Sequence, residues 1–126
     1  MTMHTPLKDA RRLGSAKDGT GHFWLQRMTG IANVGLAIFL VWLVASLAGA
    51  DHATVKAALA RPLVGLALLA LVLSGTLHMR VGMQVIIEDY VHGEGSKLAL
   101  LILNTFFAVA IGVMCTYAVL KLTLGG

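Results

Sequence analysis

Apolar and polar residues are not interleaved along this chain but separated into blocks. Three stretches lack any Asp, Glu, Lys or Arg: Met28 to Ala50 (23 residues), Pro62 to Met79 (18 residues) and Leu98 to Leu120 (23 residues). About 20 apolar residues, rising about 1.5 Å each, cross the hydrocarbon core of a bilayer. The first and third blocks are long enough alone. The second starts at Pro62, which suits a first helical turn, and continues through Val81, Val85 and Ile86 towards Tyr90. Apolar residues surround each block with no sustained 3.6-residue alternation, the pattern of helices in lipid. Strands of a membrane barrel would alternate every second residue. The pattern predicts an all-α integral membrane protein of three transmembrane helices, at about residues 27–50, 62–91 and 97–124. Residues 1–20 are expected to form a flexible cytoplasmic tail, and 21–126 a single anchor domain. Gly93-Glu94-Gly95-Ser96 reads as the turn between the second and third spans.

Charge sets the orientation. With the N-terminus in the cytoplasm, seven Lys and Arg lie inside (Lys8, Arg11, Arg12, Lys17, Arg27, Arg80, Lys97) and three outside (Lys56, Arg61, Lys121). The positive-inside rule therefore places the N-terminus in the cytoplasm and the C-terminus in the periplasm. Ala48 and Ala50 make an A-x-A-like end to the first span, but a signal h-region is only about 7–15 residues, so cleavage is not expected. The chain lacks an evident transit peptide, which points to a bacterial inner membrane.

Composition agrees. Of 126 residues 57% are hydrophobic and 13% charged, about half the usual 25% of a soluble domain. That excludes an ordinary soluble enzyme and a disordered tail. The net charge of +4 belongs to orientation in the membrane, not to nucleic acid. One cysteine, Cys115, excludes an intrachain disulfide, a zinc cage or a self-contained iron–sulfur cluster. Cys115 and Tyr117 read as packing residues, and Asn33 and Asn104 as helix–helix hydrogen bonds.

Ionisable residues inside a span are functional candidates by default. His78 is the one histidine within a span, since His4 is in the tail, His52 in a loop, and His22 and His92 at helix ends. Gly75 and Gly82 flank it at i−3 and i+4. They leave either a flat surface for a porphyrin or room for another helix. A six-coordinate haem here would take its second ligand from another chain, or from Met79 or Met83 by an awkward geometry. Asp89 lies eleven residues after His78, about three turns and 16 Å along nearly the same face. With Tyr90 it forms an acid–phenol pair at the membrane boundary, where the carboxylate could orient the phenol. Arg80, Gln84 and Glu88 follow at i, i+4 and i+8 as a polar ladder on another face. Arg27 is a candidate for lipid phosphate or for a carboxylate such as a haem propionate.

The run from His78 to Val91, HMRVGMQVIIEDYV, closely resembles the H-x-x-x-G-M-x-x-x-x-x-D-Y-V signature of the hydrophobic membrane-anchor subunits of succinate dehydrogenase, respiratory complex II. Upstream, His22-Phe23-Trp24-Leu25-Gln26-Arg27-Met28-Thr29 is similar to that family's H-x-W-x-Q-R-x-T pattern. The resemblance implies a second three-helix anchor subunit, an iron–sulfur subunit and a flavoprotein subunit as partners. It implies that His78 is an axial ligand of a b-type haem shared with the partner anchor. Tyr90 matches the tyrosine that hydrogen-bonds ubiquinone, Asp89 the acid beside it, and Arg27 the arginine near the propionates and quinone pocket. His22, Gly75 and Gly82 join this set as cofactor contacts. Two rival readings remain: a small homo-oligomeric transporter using Asp89, Glu88 or Arg80 as coupling charges, and a purely structural assembly anchor.

Overall fold

The structure, a computed structural model, describes residues 16–125 of the chain. Four helices follow in order: α1 (Ala16–Leu47), α2 (His52–Leu59), α3 (Pro62–Tyr90) and α4 (Glu94–Thr123). No strand occurs among the described residues. α1, α3 and α4 are each long and apolar enough to cross a membrane. This is a multi-pass, all-helical membrane protein.

The boundaries follow local chemistry. α1 runs to Leu47, where Gly49 takes a positive φ of 79°. That left-handed position is open to glycine without a Cβ penalty, and the Ala50 amide then reaches back to the Leu47 carbonyl at 3.1 Å. The chain does not loop freely to the next span, because Asp51 nucleates α2. Its side chain accepts a hydrogen bond from the Thr54 amide at 3.2 Å, the N-cap arrangement that satisfies an orphan donor. The Thr54 side chain first, and this amide bond second, hold the Asp51 carboxyl below its ordinary pKa of 3.8. Pro62 opens α3, where its missing N–H costs nothing. At the far end the Val91 amide bonds the Ile87 carbonyl, and His92 Nδ1 donates to the Tyr90 carbonyl at 3.1 Å.

Two expectations need correction. The tail was expected to reach residue 20, yet α1 already begins at Ala16; residues 1–15 lie outside the described residues. The turn expected at 93–96 closes earlier. Gly93 is the N-cap of α4, its carbonyl accepting from the Lys97 amide at 2.8 Å, and Glu94 in the first turn suits the positive end of the helix dipole.

α3 is the central helix, packed against α1 on one flank and α4 on the other. Small residues set the approach of α4 to α3. A Cβ on Gly112 would lie 3.3 Å from the Thr76 methyl, and one on Gly65 would collide with the Thr123 side chain. Asn104, buried on α4, donates to the Arg80 carbonyl at 3.0 Å, the interhelical bond expected of it. Asn33 differs: its buried Oδ1 has no hydrogen-bond partner among the described residues. Very little is enclosed. Val81 is 1% exposed, whereas Trp42 is 62% and Phe106 70% exposed. The large apolar surface of this chain is covered by lipid or by partners, since hydrophobic stabilisation inside the chain alone involves few side chains.

Candidate functional site

The α1–α3 seam holds His78 against α1. α1 and α3 run antiparallel, which brings Thr29 and Gly30 opposite His78 and Gln26 opposite Gly82. The Thr29 hydroxyl donates to the Leu25 carbonyl at 2.6 Å. The same hydroxyl oxygen stands 3.3 Å from the Gln26 carbonyl and 3.1 Å from His78 Nδ1. With the hydroxyl proton on the Leu25 carbonyl, the partner that fits is an Nδ1–H donor, the tautomer that leaves a lone pair on Nε2. Nε2 has no hydrogen-bond partner among the described residues. The ring is held from behind as well: a Cβ on Gly30 would stand 3.4 Å from His78 Cε1. Ser74, one turn before His78, donates its hydroxyl to the Thr29 carbonyl at 3.3 Å. The seam thus holds one imidazole against Thr29 and Gly30.

The two glycines beside His78 part company. A Cβ on Gly82 would meet Gln26 Nε2 at 3.1 Å, whereas Gly75 has nothing within 4 Å. Gly82 lets α1 approach, and the open flat surface is at Gly75. Met79 and Met83 line a groove against α4 with Leu100 and Phe107. That is not the α1 flank on which His78 sits, so neither is placed to complete a site around Nε2. Arg27 lies over the Phe23 ring, 4.7 Å from its centroid, and Phe23 meets Trp24 edge-on at 6.0 Å. His22 is exposed and makes no hydrogen bond among the described residues.

At the end of α3 the expected carboxylate–phenol bond does not form. Asp89 and Tyr90 are both exposed, Tyr90 at 77%, and their side chains make no hydrogen bond among the described residues. Successive helical residues point about 100° apart and do not face each other. The polar ladder is also shorter than expected: Gln84 Nε2 donates to Glu88 Oε1 at 2.9 Å, but Arg80 does not join. No group of three or more His, Cys, Asp or Glu side chains converges among the described residues; what this chain offers a metal is a single imidazole.

Residues 1–112 match the model of the family described as succinate dehydrogenase/fumarate reductase transmembrane subunit. The chain belongs to that family. The succinate dehydrogenase hydrophobic membrane anchor subunit of Paracoccus denitrificans is 31% identical over 121 residues, 96% of this chain and 93% of that one. The subunit of the same description from Rickettsia bellii is 33% identical over 100 residues, 79% of this chain and 80% of its own. The succinate dehydrogenase membrane anchor subunit of Reclinomonas americana is 36% identical over 98 residues, 75% of this chain and 82% of its own. No solved structure matches significantly.

Within this succinate dehydrogenase family, the role of the chain is that of a membrane anchor associated with other subunits of complex II. A homo-oligomeric transporter is thereby set aside. The sequence motifs point to His78 and the α3 terminus, and the upstream one ends on Thr29 without giving it a role; Gly30 and Ser74 lie outside both. One signal could have found them. Thr29 and Gly30 fall at the start of the first apolar run, where a hydroxyl and a missing side chain suit close contact with a neighbouring helix.

Proposed function

We propose that this chain anchors succinate:ubiquinone oxidoreductase in the membrane, contributes one axial ligand to a b-type haem, and forms part of the ubiquinone-reduction site. The single observation that carries the haem assignment is the His78–Thr29 pair. A neutral imidazole with Nδ1 donating and Nε2 bare is the form that binds iron, and an outer hydrogen bond of this kind orients and tunes such a ligand. When bound, the haem supplies a one-electron carrier whose potential follows its ligation and burial. The second ligand comes from the partner anchor, because Met79 and Met83 face α4 and His22, exposed near the start of α1, lies about two turns along α1 from Thr29, which is level with His78. Arg27, level with residues 81–82 by the Gln26–Gly82 contact, lies within about two turns of His78 along the seam, close enough for a propionate carboxylate. Gly75 provides the open surface.

Ubiquinone reduction takes two electrons and two protons, so its site needs lipid on one side and water on the other. Tyr90 and Asp89 stand at such a boundary. The Tyr90 hydroxyl donates to a quinone carbonyl and stabilises the charge that grows there, the part played by a preorganised donor. Asp89, on the His78 face of α3, receives protons from water and passes them to the reduced oxygen. The pair acts on the quinone together, not through a bond to each other. In this reading the Tyr90 end faces the bacterial cytoplasm, where an iron–sulfur subunit and a flavoprotein subunit dock.

A tagged chain should co-purify with flavin, iron–sulfur and reduced b-haem absorption. In that complex Tyr90→Phe is expected to slow succinate-dependent quinone reduction by about 10²-fold, the typical cost of an electrostatic donor, while succinate oxidation by an artificial dye survives. Equal quinone rates in variant and parent would remove Tyr90 from the site. A colourless complex with full dye activity would leave the chain as a structural anchor only.

A further inference from the structure

Arg80 is the one cation within α3, and the α1–α3 seam does not use it. It stands two residues from His78, about 200° round the helix, on the flank facing α4. Its Nε is buried with no hydrogen-bond partner, and its guanidinium forms no ion pair among the described residues. Arg80 and Thr105 close one end of a groove of about 610 Å³ between α3 and α4. The remaining wall is mostly apolar, with Leu77, Val109 and Val113 along its length and Leu120 at the far end. From Thr105 to Leu120 is about 22 Å of helix, more than the roughly 15 Å depth of one leaflet of hydrocarbon.

A half-buried guanidinium whose enclosed Nε has no partner calls for an anion, and a long apolar trough calls for an alkyl chain. One molecule with both is a phospholipid. The depth agrees: Arg80 lies nearly level with Arg27, which ends the first apolar run, so its head can reach the phosphate layer by snorkelling. We propose that the α3–α4 groove binds one phospholipid, its phosphate paired with the Arg80 guanidinium and one acyl chain lying along Leu77, Val109 and Val113. Arginine is suited to this because its planar fork offers a phosphate two parallel hydrogen bonds. The site lies on the opposite flank of α3 from His78 and does not depend on the haem or quinone assignments.

The test is the lipid content of the whole complex, purified in mild detergent and weighed by native mass spectrometry. The parent complex should retain one phospholipid more than Arg80→Gln. Val113→Trp, which fills the trough and leaves Arg80 untouched, should lose the same lipid; it carries the test if Arg80→Gln fails to assemble. Delipidated parent complex should take up dioleoylphosphatidylglycerol at least about tenfold more tightly than dioleoylglycerol, the worth of a charge-assisted hydrogen bond. Equal lipid counts in parent and both variants would overturn the proposal. So would equal uptake of the two lipids, or loss of a protein subunit in place of a lipid. Failure of the haem assignment would instead remove absorption and leave these counts unchanged.

Discussion

A single hydroxyl stands against the ring of His78. Thr29 spends its proton on the Leu25 carbonyl at 2.6 Å and so turns an accepting lone pair to His78 Nδ1 at 3.1 Å. Thr29→Val keeps the shape and removes the acceptor, while Thr29→Ser keeps the acceptor. The expected result is that Thr29→Val weakens haem retention in the purified complex by about 10- to 100-fold, the usual cost of losing an outer-shell partner, and shifts the haem midpoint potential. Thr29→Ser should restore both. The sequence disclosed His78 and not its partner, because a threonine at the start of an apolar run is ordinary until the facing helix is known. For the same reason the acid–phenol pair was legible as two residues but not as a geometry. Neighbours in sequence are about 100° apart on a helix, so the two side chains do not meet each other.

Elements were legible to different degrees. The three long helices follow from uninterrupted apolar runs, whose length fixes both identity and extent. The short α2 was missed because its eight residues carry no span-length apolar signal. Its marker is the Asp51-to-Thr54 cap, a local cue. That cap has a pH signature. The folded pKa of Asp51 is lowered, so the stability it lends is present above the unfolded value of 3.8 and is lost as pH falls through the lower folded value. The Thr54 amide resonance in a detergent-solubilised sample should titrate with a midpoint below 3.8, and Asp51→Asn should abolish the transition. Helix contacts make a second prediction. Gly82→Leu and Gly30→Leu wedge α1 from α3, because a Cβ already meets Gln26 Nε2 at 3.1 Å or the His78 ring at 3.4 Å. Each should destabilise the assembled complex by about 1–3 kcal/mol, the cost of overpacking, read as a lowered midpoint of thermal dissociation. Gly75→Ala is expected to leave helix packing within this chain unchanged, since nothing stands within 4 Å.

At the scale of the molecule, the chain is incomplete by design. Its long helices expose most of their apolar side chains, and the proposed site draws on one imidazole, one phenol and one carboxylate of this chain. The apolar blocks announced a membrane protein, and two motifs announced the family. What they could not convey is which flank of α3 serves which neighbour. That division depends on register between helices: α1 holds the back of His78, and α4 shelters Met79, Met83 and Arg80. The proposed orientation is open to direct measurement in intact spheroplasts. A cysteine at Gly93, in a Cys115→Ser background, should resist an impermeant maleimide added from outside, while one at Gly49 should label.

The central claim is that this anchor presents His78 to haem iron through Nε2, and the dithionite-reduced minus oxidised visible spectrum of the purified complex tests it most directly. Parent complex should show a b-type α-band. His78→Ala should lose that band while retaining flavin and iron–sulfur absorption. An undiminished band in His78→Ala would contradict the claim.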